Sequence, residues 1–536
     1  MRAPTRNPLR FSCDFRSLPA DFRKFQGIAG QARNDGSVFT AESLQLLYHT
    51  SPQGVYLMRK TKIVATLGPS ADEPGVLQAM LRAGLDVARF NFSHGSHEDH
   101  KKRIKNLRKA CKETGQTVAL MADTKGPEIR LGAFKGGKAE LVSGSVFTLT
   151  INPVTGDSSI AGITYPNLPR EVAPGTRILL DDGLIELTVE SVSAVDITTR
   201  VLTGGYISDR KGVNIPGVRL DIPYISSGDR SDLGFIVENK FDFVAASFVR
   251  TAEDVLLIRE ELYRLDNKNE IRIIAKIENA EGVKNAGSIL SVSNGLMVAR
   301  GDLGIEVDYE DLPIIQKELI SNSLRHGKSV ITATQMLESM INNPRPTRAE
   351  TSDVANAIYD GTGAVMLSAE TAIGKYPVEA TYAMAKIAER IENDIDYRAR
   401  FKRRDYDPET SITNAISHAS VTIAHDLHTS AILTVTMSGD TARSVAKFRP
   451  LCPIIACTPN PVTHRQLKLA WGVTPLLVKK ETDTTGLFNR AVETALAAGF
   501  IKEGDLVVLT AGVPLGYSGT TNMVRVLVVG EKILVG

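Results

Sequence analysis

The sequence predicts an α/β protein built on a (β/α)8 TIM barrel, with an inserted small β-barrel lid domain and a C-terminal open α/β domain. Short apolar runs alternate with helical patterns through much of the chain, a stretch dense in β patterns interrupts them, and the alternation resumes near the end. The predicted boundaries are 58–125 and 223–395 for the two parts of the barrel, 126–222 for the insertion and 396–536 for the last domain.

Eight apolar runs are the predicted barrel strands, beginning near residues 62, 87, 118, 243, 271, 295, 329 and 363. Strands that alternate with helices pair in parallel, and eight such units close into a barrel. Barrels of this class carry their chemistry at the carboxyl ends of the strands. We therefore expect one rim to gather Asn91 to His94, Asp123 to Lys125, Ser247, Lys276 to Glu278, Arg300 to Asp302, Thr334, Gln335 and Ser368 to Glu370.

Lys276 and Glu278 lie two residues apart in the run IIAKIENAEG, and Asp302 follows in MVARGDLG. Residues two apart in a strand share a face, so one strand delivers a cation and an anion to the same place. Two carboxylates beside a lysine suit a hard divalent cation, with the lysine facing a phosphoryl or enolate oxygen. A structural Lys–Glu pair inside a barrel is the alternative, and this trio alone does not decide between them.

The segment 126–222 breaks the β/α alternation, because it is dense in short β patterns and turn residues. It is predicted to be a small β domain inserted after the third barrel strand. A module at the catalytic rim of a barrel is well placed to exclude water from a transferring phosphoryl group. Taken without other information, Asp182 and Lys211 in this segment are an exposed turn aspartate and a surface lysine.

From about residue 410 the chain returns to alternating strand and helix patterns, which predicts the open α/β domain. It has no GxGxxG sequence, so a dinucleotide site is not indicated. The turn Thr436–Thr441 lies between a predicted strand and a helix start, where free backbone N–H groups and the helix dipole favour an anion. An ordinary helix N-cap is the alternative explanation of this turn.

Composition narrows the class of protein. A chain of 536 residues with 43% hydrophobic content is long enough for about three to four domains with packed cores. The formal net charge of +2 gives no indication of binding to nucleic acid, and no apolar run approaches the ~20 residues that cross a membrane. The four cysteines lack metal-ligand spacing, so we expect no structural disulfides and a cytoplasmic location.

Residues 1–57 contain several arginines and no clear hydrophobic period. An organellar transit peptide is one interpretation, but Asp14, Asp21 and Asp35 argue against it. We expect this segment to be a poorly ordered N-terminal extension and assign no function to it.

Seven motifs, in this order and spacing, make the chain resemble the pyruvate kinase family: KTKIVATLGPS, RFNFSHG, DTKGPEIR, IIAKIEN, MVARGDLG, ATQMLESM and PTRAETSDVANAI. The resemblance covers roughly residues 58–536. Two departures lie beside the candidate site residues without replacing any of them. Asn294 stands where the family usually has Asp, and SSGD at 226–229 replaces a Glu-Lys-Asp sequence.

The resemblance implies transfer of the phosphoryl group of phosphoenolpyruvate to ADP, which gives ATP and pyruvate in the final step of glycolysis. Glu278 and Asp302 would ligate Mg²⁺ or Mn²⁺. Lys276 would neutralise charge on the moving phosphoryl group and on the enolate oxygen. The backbone N–H groups of Gly301 and Asp302, with the Thr334 hydroxyl, would hold the substrate carboxylate.

The same resemblance implies how the phosphate groups are bound and where the enolate receives its proton. Arg89 would contact the phosphoryl group. The proton would come from Lys276 on one side, or through water from Thr334 and Ser368 on the other, and the sequence leaves both routes open. The nucleotide phosphates would be bound by Arg89, Asn91, His94, Arg130 and Lys211, in a cleft that Asp182 also faces.

A monovalent cation site is also implied. Asn91, Ser93, Asp123 and Thr124 match the family's potassium ligands, and all offer hard oxygen donors. Glu128 adds to this, since members with Glu at that position of GPEIR tend to need K⁺. Helix capping is the alternative for a Ser or Thr that follows a strand.

In the last domain, the resemblance implies that a phosphorylated allosteric effector, a sugar phosphate or a nucleotide, binds Thr436, Ser438, Gly439 and Thr441. Arg443 and the segment GVPLGYSG at 512–519 would close over it, in a symmetric homotetramer. Two other functions are alternatives to pyruvate kinase activity. One is a different metal-dependent barrel enzyme that acts on phosphoenolpyruvate or pyruvate, and the other is a paralogue that binds without turnover.

Overall fold

The computed structural model describes residues 58–266, 268, 270–403, 411–481, 483–513 and 521–531. The predicted N-terminal extension, residues 1–57, lies outside these described residues. Within them, no helix is both long enough and apolar enough to span a bilayer. Cys111, Cys452 and Cys457 are free thiols, as expected for the cysteines that are described.

In chain order the described strands are β1 (Lys62–Thr66), β2 (Val87–Asn91), β3 (Ala119–Asp123), β4 (Ile129–Arg130), β5 (Lys138–Leu141), β6 (Val146–Thr150), β7 (Ile160–Gly162), β8 (Arg177–Leu180), β9 (Ile185–Val192), β10 (Asp196–Thr203), β11 (Gly205–Ser208), β12 (Gly212–Asn214), β13 (Phe243–Ala246), β14 (Arg272–Ile277), β15 (Gly295–Ala299), β16 (Ser329–Ala333), β17 (Ala364–Leu367), β18 (Ala431–Val435), β19 (Ile454–Thr458), β20 (Val473–Leu477), β21 (Leu506–Ala511) and β22 (Met523–Val528).

The described α-helices are α1 (Val76–Ala83), α2 (His97–Thr114), α3 (Leu168–Glu171), α4 (Ser227–Glu238), α5 (Ala252–Leu265), α6 (Ala280–Lys284), α7 (Ala286–Val292), α8 (Arg300–Glu306), α9 (Leu312–Arg325), α10 (Arg348–Asp360), α11 (Ala369–Ala372), α12 (Pro377–Glu392), α13 (Tyr397–Arg403), α14 (Ile412–Asp426), α15 (Asp440–Ala446), α16 (Pro461–Gln466) and α17 (Thr484–Ala497).

The predicted barrel is confirmed. Its strands close in the order β1-β17-β16-β15-β14-β13-β3-β2, and each neighbouring pair is parallel. All eight strands overlap the apolar runs that predicted them. Several connecting helices begin at side-chain caps, and the departure SSGD supplies one of these. Ser226 and Asp229 form a reciprocal capping box at the start of α4.

Alternate residues of each barrel strand fall into two apolar clusters. Ile63 and Ala65 pack outward with the helices, whereas Val64 packs in the barrel interior with Met121 and Ile274. Extending the inner series of each strand toward its carboxyl end gives polar residues in place of apolar ones. These are Thr66, Arg89, Asn91, Asp123, Ser247, Lys276, Glu278 and Ser368, whereas β15 leads to Gly301. The period of two therefore places the rim chemistry directly above the barrel core.

The insertion forms a seven-stranded sheet of order β4-β12-β8-β9-β10-β6-β7 and a separate pair, β11 and β5. The two edge strands of the large sheet approach each other, because Leu131 and Ile163 form a bridge just beyond β4 and β7. Apolar side chains such as Phe147, Leu149 and Leu187 fill the interior. The sheet thus curves nearly onto itself, in keeping with the predicted small β-barrel.

The C-terminal domain is an open sheet of order β20-β19-β18-β21-β22, in which only the β21–β22 pairing is antiparallel among those described. Strand β20 contains Pro475 and lies at the sheet edge. Proline lacks the N–H that a central strand needs, which explains both its edge position and the weak strand signal in the sequence.

Candidate active site

Lys276 is the centre of a buried polar network at the barrel rim. Its Nζ lies 3.0 Å from Asp123 Oδ1 and 2.9 Å from Glu278 Oε1, and it donates to Ser247 Oγ at 2.8 Å. Burial alone would lower the pKa of Lys276, but Asp123 and then Glu278 raise it above its usual value. The lysine is therefore a fixed cation, held between two carboxylates.

Arg89 binds the same aspartate from the neighbouring strand. Its Nε donates to Asp123 Oδ2 at 2.6 Å, and its Nη1 donates to Thr66 Oγ1 at 2.8 Å. Burial would raise the pKa of Asp123, but Arg89 and Lys276 together hold it below its usual value. Asp123 thus fixes two cations. Arg89 keeps further N–H groups for a phosphoryl group, whereas the three Lys276 donors face Asp123, Glu278 and Ser247.

The Glu278 and Asp302 carboxyl groups form an electron-rich pair next to the lysine. Burial raises the pKa of Glu278 to about 7, although Lys276 opposes the shift, and burial also raises the pKa of Asp302. Glu278 Oε2 accepts from the Phe248 N–H at 2.7 Å, and Oε1 lies 2.9 Å from the Lys276 ammonium. Asp182 and Glu128 add further negative charge around Asp302.

This donor set fits a hard divalent cation. Carboxylate oxygens are the preferred ligands of such ions, and a bound cation would remove the cost of ionising Glu278 and Asp302 together. No group of three or more Asp, Glu, His or Cys side chains is placed to hold a metal in the part of the chain that the structure describes. Two protein carboxylates would therefore leave coordination positions for substrate and water.

Thr334 and Gly301 meet at the ends of β15 and β16, the next two strands of the barrel after β14. The Gly301 N–H, near the start of α8, donates to Thr334 Oγ1 at 2.8 Å, and that hydroxyl donates to the Ala333 carbonyl at 2.6 Å. On the adjacent strand, Ser368 Oγ is buried and has no hydrogen-bond partner within the described residues. Glu370 Oε2 accepts from the Ser368 N–H at 2.7 Å and fixes the turn that carries this hydroxyl.

The candidate potassium ligands lie at the ends of β2 and β3, where Asn91 and Asp123 are paired in register. Asn91 Oδ1 accepts from the Ser93 N–H at 3.1 Å. The N-cap of α2 is Ser96 rather than Ser93, so Ser93 does not cap that helix. Thr124 is bonded to the next strand, because its N–H donates to the Ala245 carbonyl at 3.1 Å and its hydroxyl accepts from the Ser247 N–H at 3.1 Å. Its carbonyl accepts from Ser247 Oγ at 2.7 Å.

A cavity of about 840 Å³ opens between the rim and the insertion. Its lining includes His94, Arg130, Lys211, Asp182 and Asp302. The predicted nucleotide residues therefore divide into two groups, since Arg89 and Asn91 lie at the barrel mouth and the others line the cavity. Two of the cavity cations are paired at present, with the Lys211 Nζ 2.7 Å from an Asp181 carboxylate oxygen and the Arg130 Nε donating to Glu128 at 2.7 Å.

The turn Thr436–Thr441 satisfies most of its own polar groups. Thr436 Oγ1 accepts from the Gly439 N–H at 2.9 Å, Ser438 Oγ donates to Asp440 at 2.7 Å, and Thr441 pairs with Thr521 at 2.8 Å. Arg443 donates to Asp440 at 2.9 Å and to the Ser438 carbonyl. The helix-cap alternative thus has structural support, and residues 514–519 of the predicted closing segment lie outside those described.

Two family profiles match the chain. The profile for the pyruvate kinase barrel domain matches residues 58–381, and the profile for the pyruvate kinase alpha/beta domain matches residues 414–527. The chain belongs to the pyruvate kinase family. Pyruvate kinases are phosphotransferases, so the rim belongs to an enzyme of that class, and metal cofactors are general in the family. The motifs that predicted the rim lie within the first matched segment.

Curated pyruvate kinases are similar along most of the chain. The enzyme from Geobacillus stearothermophilus is 50% identical over 482 residues, which cover 90% of this chain and 82% of the relative. Pyruvate kinases from Staphylococcus saprophyticus and Sporosarcina psychrophila are 49% and 47% identical over 481 residues, covering 89% of this chain and 82% of each relative.

Sequence reasoning missed several residues that build the rim. Ser247 was placed at a strand end but received no role, although it joins Lys276, Asp123 and Thr124. Thr66 was not considered, yet it orients Arg89. The inner-face period of two identifies both, since each follows an interior residue by two positions. Arg300 was also left without a role.

Proposed function

We propose that the chain catalyses phosphoryl transfer from phosphoenolpyruvate to ADP, giving ATP and pyruvate as the final step of glycolysis in the cytoplasm. The observation that carries this proposal is the buried Lys276, held between Asp123 and Glu278 and close to Asp302, which lines the cavity. Transfer of this kind depends on positioning and on charge stabilisation, and a fixed cation at the rim supplies both.

Lys276 and Arg89 would bind the transferring group from two sides. Both are anchored by Asp123, so neither has to reorganise as charge moves from the substrate to the nucleotide. Lys276 would also stabilise the developing enolate oxygen. Glu278 and Asp302 would hold Mg²⁺ or Mn²⁺, which when bound supplies positive charge to the substrate oxygens.

The N–H groups of Gly301 and Asp302 and the Thr334 hydroxyl would hold the carboxylate of phosphoenolpyruvate. In the free protein the Gly301 N–H is used by Thr334, so the substrate would replace an internal hydrogen bond with two stronger ones to its charge. The nucleotide phosphates would lie along Arg89, Asn91, His94, Arg130 and Lys211, with the insertion excluding water from the cavity.

Two routes for the enolate proton stay open in this proposal. Lys276 is one donor, and its raised pKa keeps it protonated. The other route runs through water held by Thr334 and Ser368, whose buried hydroxyl has no partner among the described residues. A Ser368→Ala variant that keeps phosphoryl transfer but slows ketonisation would favour the second route.

The oxygens of Asn91, Ser93, Asp123 and Thr124 would hold K⁺ beside the transferring group. Glu128 supports this part of the proposal, because it places a carboxylate near the rim. A lysine at the same position would instead supply a fixed cation there. We expect activity to require K⁺ and Glu128→Lys to relax that requirement. Full activity of the unmodified enzyme without Na⁺ or K⁺ would contradict the assignment.

The proposal includes allosteric control of a homotetramer by a phosphorylated metabolite bound at Thr436, Ser438, Gly439 and Thr441. A bridge from this turn to the barrel supports it. Arg272, the first residue of β14, donates to the Ser438 carbonyl at 3.1 Å and to Gln466 at 3.0 Å. The same strand ends at Lys276 and Ile277, so a shift of the turn acts on the strand that carries the lysine.

A coupled assay of pyruvate formation from phosphoenolpyruvate and ADP tests the activity. We expect turnover that needs a divalent cation and ADP. Release of pyruvate without ADP would indicate a different barrel enzyme that acts on phosphoenolpyruvate. Binding of both substrates without turnover would indicate a paralogue that has lost catalysis.

A further inference from the structure

Two consecutive residues after β16 hold a backbone conformation that side chains rarely adopt. Thr334 has a φ of +67° and Gln335 a φ of +52°, which places both in the left-handed region. This conformation costs free energy for residues other than glycine, and it persists where surrounding contacts impose it. Thr334 is also the residue whose hydroxyl meets the Gly301 N–H.

One buried guanidinium supplies contacts along the whole turn. The Arg300 side chain is 9% exposed and lies at the start of α8. Its Nη2 donates to the Thr334 carbonyl at 2.6 Å and to the Gln335 carbonyl at 3.3 Å, and its Nε donates to the Ala333 carbonyl at 3.3 Å. Three successive carbonyl oxygens therefore converge on one cation, which an extended strand with alternating carbonyls does not allow.

The guanidinium is held from its other side as well. Nη1 donates to Asp353 Oδ1 on α10 at 2.8 Å and lies 3.4 Å from Gln316 Oε1 on α9. The planar fork of arginine, with five donors, can serve both groups of acceptors at once. A lysine ammonium has three donors on one nitrogen and cannot span them.

We propose that Arg300 is a positioning residue, which holds the Thr334–Gln335 turn so that the Thr334 hydroxyl and the Gly301 N–H receive the carboxylate of phosphoenolpyruvate. The guanidinium contacts are with residues 333–336, Gln316 and Asp353, so Arg300 acts through the turn that carries Thr334. This inference rests on the proposed function. It predicts a selective defect, because the nucleotide side of the cleft does not depend on this turn.

The test is Arg300→Lys, which keeps the charge and loses the fork. We expect the KM for phosphoenolpyruvate to rise about tenfold or more, while the KM for ADP stays within about twofold. Arg108→Lys is the matched control, since Arg108 donates to the Asn239 carbonyl at 2.7 Å on another part of the barrel. The control should leave both KM values unchanged.

Gln335→Gly provides an independent check. Glycine adopts the left-handed region without cost, so this change should restore part of the phosphoenolpyruvate affinity, about threefold, in the Arg300→Lys background. If Arg300→Lys does not fold, Asp353→Asn loosens the guanidinium without removing it and should raise the same KM by about twofold to fivefold.

Three results would overturn the inference: an unchanged KM for phosphoenolpyruvate in both Arg300→Lys and Asp353→Asn, equal weakening for both substrates, or no rescue by Gln335→Gly. Failure of the proposed function is distinguishable from these, because the unmodified enzyme would then form no pyruvate at all.

Discussion

The barrel rim and the turn Thr436–Thr441 are both candidate phosphate sites, and they differ in how far the protein satisfies its own polar groups. At the rim, Ser368 Oγ is buried without a hydrogen-bond partner among the described residues, and Glu278 Oε1 lies 2.9 Å from the Lys276 ammonium. The backbone of Thr334 is strained at the same rim. At the turn, by contrast, the three predicted hydroxyls each have a partner within the domain.

The rim and the turn therefore differ in how far each depends on a bound ligand. Buried polar groups without partners cost free energy, and a bound ligand can offset that cost. We expect substrate or water to complete the Ser368 hydroxyl at the rim. The turn is already satisfied as a helix cap, and an anion bound there has to compete with Asp440 for Arg443 and for the Ser438 hydroxyl. Any effector site at the turn is conditional on displacing that carboxylate.

The largest expected effect is at the rim. Lys276→Met should lower kcat by about 10² or more and leave substrate KM values comparatively unchanged, because the lost charge acts mainly in the transition state. Lys386→Met is the control, since Lys386 contacts Glu389 and the Tyr382 ring on α12, away from the rim. Near-normal turnover in Lys276→Met would show that the lysine has no role in the mechanism. The difference between the rim and the turn Thr436–Thr441 would then be smaller.

A second prediction concerns the stability of the metal-free rim. The pKa of Glu278 is raised to about 7 from 4.5, so between these values the folded state binds more protons than the unfolded state. Protonated Glu278 therefore adds to the free energy of unfolding below pH 4.5. This contribution is lost as the pH rises through about 7, a change of about 1–3 kcal/mol. Melting temperatures should show it as a fall in Tm for the wild type relative to Glu278→Gln between pH 5 and 8.

Added Mg²⁺ should reverse that trend, because a bound cation favours the ionised carboxylate. The Glu278→Gln variant serves as the reference at every pH. Parallel Tm curves for the two proteins would show that Glu278 ionises as an ordinary surface carboxylate, and the rim would then resemble the self-satisfied turn.

Much of the rim could be predicted from sequence, because its chemistry follows regular strands. The period of two places Lys276 and Glu278 on one face, and the barrel topology brings Asp123 from a distant strand to the same rim. Contacts that depend on side-chain reach could not be predicted in this way. Arg300 binds carbonyls more than 30 residues away along the chain, through a left-handed turn that has no glycine to mark it.

Less of the C-terminal domain than of the rim could be predicted from the sequence. Its strand and helix pattern predicts an open α/β domain, but Pro475 weakens the β pattern of the edge strand β20. The turn motif indicated free N–H groups, whereas the structure gives the Gly439 N–H to Thr436. A local motif does not reveal whether its donors are used internally, since caps and anion sites begin from the same backbone geometry.

The third prediction tests the turn by adding charge. In a tetramer that responds to a phosphorylated effector, the double variant Ser438→Asp, Thr441→Asp should lose the response, which corresponds to a coupling of about 1–3 kcal/mol. The measurement is the phosphoenolpyruvate saturation curve with and without AMP, ribose 5-phosphate or glucose 6-phosphate. An equal response in the double variant would place the effector elsewhere.

The smallest expected effect is that of Asp440→Asn. This substitution distinguishes an effector site at the turn from an ordinary helix N-cap. Asp440 accepts from Ser438 Oγ and from Arg443, and its carboxylate lies 3.6 Å from Arg272. Asp440→Asn removes the negative charge that competes with a phosphate and leaves the size of the side chain unchanged. We expect the apparent affinity for the effector to rise about threefold to tenfold, a change opposite in sign to that of the double variant.

The same substitution has a second readout, because an aspartate at a helix start also stabilises the helix dipole. Asp440→Asn should therefore lower stability by about 0.3–1 kcal/mol, measured as the shift in urea midpoint. A loss of stability without any gain in effector affinity means that Asp440 serves only α15. A gain of effector affinity together with the loss of stability means that the Asp440 carboxylate occupies the position of the effector phosphate. Arg272 and Arg443 would then exchange one anion for the other.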